Sequence, residues 1–238
     1  DDVLVQFTPG AGVYGHSGAD DAAFDAALIA KHLTNFSILL KWTREDEHCW
    51  EPYGSAMQCN LQASVNSNGE ITSWSHETFS DTFLTRPVIG KDPASRLLST
   101  HYLKESKPWP VTPPMLTVHG GIHRNIEPIY NFPSSRLVKH RVYDLPLRTS
   151  ALRALGAFGN IFAIESMMDE LAEALKLDPF HFRLKHLNDE QGIQTLIRLQ
   201  ELVDKDRVNF PQEAGLGISF ARYKNSAGYC SLAVLLRV

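Results

Sequence analysis

The chain has 238 residues, of which 43% are hydrophobic, 21% charged and 10% aromatic, the proportions of an ordinary globular protein rather than a disordered, collagenous or disulfide-scaffold one. A formal net charge of -4 and a pI near 6.2 leave no basic footprint for a phosphate backbone, which excludes nucleic acid as an expected partner. Cys49, Cys59 and Cys230 are too scattered for a stapled fold or a C-x-x-C site, and they leave the redox compartment open. No apolar run approaches the roughly 18 residues of a spanning helix, and the start lacks a signal-peptide pattern.

In chain order, Val3 to Phe7 has strand composition and runs into Pro9-Gly10. Ala19 to Leu33 is alanine-rich, with acids in its first turn and Lys31 and His32 in its last, which predicts a helix. Phe36 to Thr43 alternates, with Ile38, Leu40 and Trp42 on one face, and predicts a half-buried strand. Met57 to Val65 alternates more cleanly, Asn66-Ser-Asn-Gly69 tolerates positive φ, and Ile71 to Phe79 resumes strand composition, so the three form a hairpin. From Thr85 to Pro128 prolines and glycines accumulate and predict a long connection. Leu137 to Tyr143 is strand-like.

Ala151 to Lys176 carries Phe158, Ile161, Ile164, Met168, Leu171 and Leu175 at helical spacing. Asp178-Pro179 caps a second helix through Leu187, Glu190 to Asp204 forms a third, and strands at Leu216 to Tyr223 and Tyr229 to Val238 flank a turn at Lys224-Asn-Ser226. The fold class is α+β, mixed sheets with packed helices. A subdivision into 1–145, mainly β with one helix, and 146–238, helices followed by a hairpin, is expected within one partial domain. The chain starts at Asp1 and stops in a strand-like run, which reads as a piece of a longer polypeptide.

Several groups offer chemistry. Gly10-Ala-Gly-Val-Tyr-Gly15 spells G-x-G-x-x-G between a strand and a helix, but His16-Ser-Gly-Ala intervenes before the helix, and Asp20-Asp21 would repel an anion there. A dinucleotide site, a plain turn and a loop that admits a bulky cofactor all remain open. Arg44-Glu-Asp-Glu-His48 reads as a solvated loop rather than a proton-transfer pair. His119 and His123 lie four apart, but intervening glycines argue against a helical metal site. Glu165 and Asp169 share a helix face as ordinary surface acids. Arg148, Ser150 and Arg153 precede Gly156 at the entrance of the long helix, where guanidinium and N–H donors would converge on an acceptor-rich ligand.

Four passages resemble the molybdopterin-binding large subunits of the xanthine dehydrogenase and aldehyde oxidase superfamily, in its isoquinoline 1-oxidoreductase and nicotinate dehydrogenase branch. They are Gly12-Val-Tyr-Gly-His-Ser-Gly-Ala-Asp-Asp21, the run from Trp42 to Met57, Pro146 to Ala157 continuing into Ala163 to Ala172, and Gly217 to Asn225. The resemblance implies part of the cofactor-binding domain of an enzyme that hydroxylates carbon next to nitrogen in N-heterocycles, or oxidises aldehydes, with water as the oxygen source. The cofactor implied is molybdopterin or its cytidine dinucleotide form, and the partner a small iron–sulfur subunit that takes the electrons.

Carried over position by position, Gly12, Tyr14, Gly15 and His16 match the glycine motif beside the metal. Arg153, Ala154, Leu155 and Gly156 match the segment that holds the pterin, and Arg124 matches an arginine that polarises substrate. No residue is implied to bind the metal directly, and the family's general-base glutamate is expected beyond Val238. Gly18 stands near the place of an acidic residue of the xanthine-oxidising members, which argues against purines, and Leu155 replaces a sandwiching aromatic. The contrasting expectation, from another class, is a non-catalytic scaffold or interaction domain that is inactive in isolation.

Overall fold

The computed structural model describes residues 3–8, 18–83, 86–87 and 92–237. Its elements are α1 (Asp21–His32), α2 (Arg44–Trp50), β1 (Met57–Val65), β2 (Ile71–Ser80), β3 (Ser135–Arg141), α3 (Ala157–Ala174), α4 (Pro179–Lys185), α5 (Glu190–Asp206), β4 (Gly215–Arg222) and β5 (Tyr229–Leu236), with short 3-10 turns between them. They fall into two compact units: Asp1–Ser55, Asp81–Met115 and Tyr143–Leu155 form unit 1, and Ala56–Ser80, Leu116–Val142 and Gly156–Val238 form unit 2.

Unit 2 holds the sheets. β1 and β2 pair antiparallel from Met57↔Ser80 to Val65↔Ile71, and β3 joins β2 in parallel, giving the order β1-β2-β3. The hairpin turn is the expected one: Asn66 Oδ1 accepts the Asn68 and Glu70 N–H groups, each at 3.0 Å, and Gly69 takes φ 71°. β4 and β5 form a separate antiparallel pair. Asp178 accepts the His181 N–H at 2.9 Å with Pro179 at the first helical position, and Asp189 accepts the Gly192 N–H at 2.8 Å, so α4 and α5 start where the sequence predicts.

The long helix differs. It begins at Ala157 because Ala154 and Leu155 both take left-handed φ, 75° and 53°, which no helix continues through. Its buried stripe is Ala157, Asn160, Ile164, Glu165, Met168 and Ala172; of the expected stripe Ile164 and Met168 are buried and Leu171 and Leu175 pack against the core, whereas Phe158 points outward at 78% exposed. Ile164 and Met168 pack in one cluster with Phe180 and Phe182 of α4, Leu196 of α5, Ile218 and Phe220 of β4, and Ile71 and Trp74 of β2. A buried ion pair threads this cluster. Arg183, fully buried, donates from Nε to Glu165 Oε2 at 2.9 Å and from Nη1 to Asp169 Oδ1 at 2.7 Å. Glu165 also accepts from the Tyr130 hydroxyl and the Phe220 N–H, each at 2.8 Å. Glu165 and Asp169 are therefore structural ligands of Arg183 and not free surface acids. Burial opposes the charge on Arg183, but the carboxylates of Glu165 and Asp169 outweigh it and raise its pKa.

Unit 1 contains α1 and α2 and no strand among the described residues. Residues 36–43 do alternate in exposure, with Ile38, Leu40 and Trp42 half-buried, yet they form no ladder, and Val3 to Phe7 is an exposed, non-strand segment. Alternation marks which side is covered; a strand also needs a neighbour to take its backbone bonds. The acidic run at 44–48 is helical rather than a loop: Thr43 and Asp46 form a reciprocal capping box, and no residue of α2 is buried.

Asp21 is 4% exposed and binds Arg148 bidentately, at 2.6 and 3.1 Å, while also accepting the Leu98 N–H at 2.8 Å. Arg148 further donates to the carbonyls of Trp50 and Arg96, each at 3.2 Å, and lies 5.8 Å from the Trp109 ring centroid. Ser150 donates to Gly18 O. Arg148 and Ser150 thus stitch three chain segments together and do not converge on a ligand, and Asp21 is neutralised rather than left to repel an anion.

Candidate functional site

Residues 119–125 form a loop of unit 2 with left-handed φ at His119 (59°), Gly121 (48°) and Asn125 (56°). Left-handed φ costs non-glycine residues about 1 kcal/mol or more each, and such positions persist only where their surroundings fix them. Gly156 and Asn160 supply much of the fixing. Gly156, the helix N-cap, donates its N–H to Gly121 O at 3.1 Å, and a Cβ there would lie 2.3 Å from Ile122 O and 2.5 Å from Gly121 O. Only glycine permits that approach. One turn on, Asn160 is fully buried and donates from Nδ2 to Ile122 O at 2.8 Å and Arg124 O at 3.0 Å.

The other end of the Asn160 amide is held by the sheet. Its Oδ1 accepts from Thr78 Oγ1 at 2.6 Å and, more weakly, from Cys59 Sγ at 3.7 Å. Thr78 Oγ1 in turn lies 3.1 Å from His76 Nε2, so with the threonine proton committed to Asn160 the imidazole donates. Burial lowers the His76 pKa to about 4 and keeps the ring neutral. Burial likewise raises the Cys59 thiol. A buried polar line from β1 and β2 through Asn160 thus positions the backbone of the loop that carries Arg124.

On the loop, His123 is held by Thr117 O at Nε2 (2.9 Å) and the Lys139 ammonium at Nδ1 (2.9 Å). Its pKa is lowered by burial first and then by Lys139. Both ring nitrogens are committed, and no group of three or more His, Cys, Asp or Glu side chains suited to a metal occurs among the described residues. Arg124 donates from Nε to His119 O at 2.8 Å and from Nη1 to the Tyr223 hydroxyl.

Of the other sequence-predicted positions, Arg153, Ala154 and Leu155 end unit 1 and Gly156 opens unit 2. Gly12, Tyr14, Gly15 and His16 lie outside the described residues. The N–H groups in the first turn of α3 have no acceptor within the helix, which suits that end to an acceptor-rich group. Sequence reasoning missed Asn160, Asn125 and Tyr223; the one trace of them was the placement of Tyr223 inside a resembling passage.

Comparison with known proteins places this loop and helix in context. Residues 111–187 match the molybdopterin cofactor-binding domain family. Over 224 residues the chain is 31% identical to a subunit of the nicotinate dehydrogenase of Pseudomonas putida, covering 91% of this chain and 17% of that protein. Over 222 residues it is 26% identical to the beta subunit of the isoquinoline 1-oxidoreductase of Brevundimonas diminuta, covering 90% of this chain and 25% of that one. The chain thus spans a quarter or less of the length of these relatives. Among solved structures, the aldehyde oxidoreductase of Desulfovibrio gigas shares the fold over 76% of this chain and 19% of its own, with a TM-score of 0.50 and 19% identity.

Proposed function

We propose that this chain is a portion of the cofactor-binding part of a molybdenum hydroxylase large subunit, whose whole protein oxidises N-heterocycles or aldehydes with electrons passing to an iron–sulfur partner. The observation that carries the reading is that the Gly156–Asn160 clamp on loop 119–125 lies inside the segment matching the molybdopterin cofactor-binding domain. When bound, the cofactor supplies the redox chemistry and an activated water.

The residues of this chain position and bind. The first-turn N–H groups of α3 offer donors to the pterin, and Gly156, its own N–H held by Gly121 O, lets that turn sit against loop 119–125. By resemblance, Gly12, Tyr14, Gly15, His16, Arg153, Ala154, Leu155 and Gly156 match cofactor-binding positions of the family. Asn160 fixes the backbone on which Arg124 stands. Arg124 turns its guanidinium toward substrate and polarises an acceptor atom on it, its approach angle set by His119 O and the Tyr223 hydroxyl.

The test is elemental analysis of the full-length protein produced with its iron–sulfur partner, followed by turnover of N-heterocycles and aldehydes in isotopically labelled water. Stoichiometric molybdenum and label in the product are expected. A full-length protein without molybdenum under conditions that load related enzymes sinks the reading and leaves the scaffold role.

A further inference from the structure

The 119–125 loop and the 223–225 turn interlock through one buried amide. Asn125, 2% exposed, donates from Nδ2 to Arg222 O and to Asn225 Oδ1, and accepts the Lys224 N–H on Oδ1, each at 2.9 Å. Lys224 and Asn225 both take left-handed φ, 56° and 48°. Asn225 Nδ2 returns a bond to Glu127 O at 2.9 Å. The backbones that carry Arg124, Tyr223 and Lys224 are therefore set by Asn125 and its partners, independently of what those three side chains touch.

Those side chains gather two cations on one phenol. The Arg124 guanidinium carbon lies 5.4 Å from the Tyr223 ring centroid, and the Lys224 ammonium lies 5.5 Å from it. Both are within cation–π range. Arg124 donates to the Tyr223 hydroxyl oxygen, which leaves the phenolic proton free to donate elsewhere, and the other guanidinium N–H groups of Arg124 have no hydrogen-bond partner among the described residues. No carboxylate pairs with Arg124 or Lys224 among the described residues. Two positive charges, Arg124 and Lys224, without a carboxylate partner among the described residues, on a prefixed backbone and with a directed O–H donor, match an oxyanion.

We propose that Arg124, Tyr223 and Lys224 form a binding site for the carboxylate or phosphate of a small molecule. The guanidinium and ammonium supply charge, and the phenol supplies an oriented hydrogen bond. The site shares Arg124 with the function proposed above and rests on it only for identifying the ligand as substrate; the anion binding itself needs no cofactor.

Calorimetric titration of the full-length protein with benzoate, with inorganic phosphate and with neutral benzamide tests it. At least one oxyanion is expected to bind at least about tenfold more tightly than benzamide, and more weakly as salt is raised. Benzoate alone assigns a carboxylate ligand and phosphate alone a phosphate ligand. Lys224→Asn removes the charge while tolerating left-handed φ, and should weaken the oxyanion about tenfold with an unchanged melting temperature. Tyr223→Phe should weaken it about threefold to tenfold, and Lys224→Arg should restore binding. Equal affinity for benzamide and both oxyanions, or wild-type affinity in both Lys224→Asn and Tyr223→Phe, overturns the proposal. Molybdenum content of the same preparations separates the two readings: oxyanion binding in a metal-free protein upholds this site and fails the cofactor assignment, and the converse fails this site alone.

Discussion

In unit 2 the interior is largely hydrocarbon, with α3, α4, α5, β2 and β4 meeting around Met168, Phe182, Leu196 and Phe220, and the charged groups that enter it, Glu165 and Arg183, are paired. In unit 1 the pattern reverses. Its buried residues among those described are mostly polar, including Asp21, Ser95, Thr100, Thr112 and Ser150, and only Pro52 and Phe83 are apolar. The difference shows two ways to fix a backbone. Apolar burial acts through area and tolerates small shifts, whereas a set of hydrogen bonds, each worth about 1 kcal/mol net, acts through geometry and fails when one partner is lost. Unit 1 should therefore open locally before unit 2 does.

Four perturbations sharpen that contrast. The largest effect is expected for Glu165→Ala, which leaves the buried Arg183 charge without its main partner and should cost about 3–5 kcal/mol by chemical denaturation. A loss under about 1 kcal/mol would mean that Asp169 suffices to hold Arg183.

Acid comes next. The folded-state pKa of His76, about 4, lies below its ordinary value of 6.5, so between those values the unfolded chain takes up a proton that the folded one does not. Its contribution is fully present above pH 6.5 and is lost as pH falls toward 4, about 3 kcal/mol in all. His123 and His186, whose pKa values burial also lowers, act in the same direction. His76→Gln should flatten the decline of melting temperature across that window, and an unchanged slope would show that another group carries it.

Asp21→Ala strands Arg148 inside unit 1 and should cost about 2 kcal/mol. Hydrogen exchange should localise the loosening to 92–115 and 143–155, with protection in α3 and β2 retained. Uniform loss across both units would contradict the separate opening. The smallest change is expected for Thr43→Ala, which removes an exposed cap of α2 at about 1 kcal/mol and should leave unit 2 unmoved.

Much of unit 2 was legible in the sequence because its signals are local. The β1–β2 hairpin follows from alternation and an Asn-Gly turn and α4 from Asp178-Pro179, and the helix expected at Glu190 to Asp204 is α5. Unit 1 was legible in its helix α1 and in the long connection after Thr85, which holds only short 3-10 turns among its described residues. The segment at 36–43 alternates without a strand partner, and the acids at 44–48 form a capped helix because Thr43 and Asp46 close on each other. The start of α3 misled for a different reason. Composition favours helix from Ala151, but residues 154–155 are held left-handed, a choice local propensity cannot encode.

The candidate site divides along the same line. Resembling passages in the sequence point to the glycine motif and to Arg153–Gly156, words that survive in linear order, while Arg124 lies outside those passages. Asn160 and Asn125 are ordinary asparagines in the sequence, and only folding brings their amides against the carbonyls of Ile122, Arg124 and Arg222. Glu165 and Asp169 read as surface acids until Arg183, from the next helix, reaches them. The sequence by itself determined the α+β class, the hairpins, the capped helices and the resemblance, since each depends on neighbours a few residues apart or on contiguous motifs. The tertiary structure alone decided which charges are buried and paired, where α3 begins and which side chains surround Tyr223, because those depend on groups distant in the chain that meet only when desolvation forces every buried donor to find its acceptor.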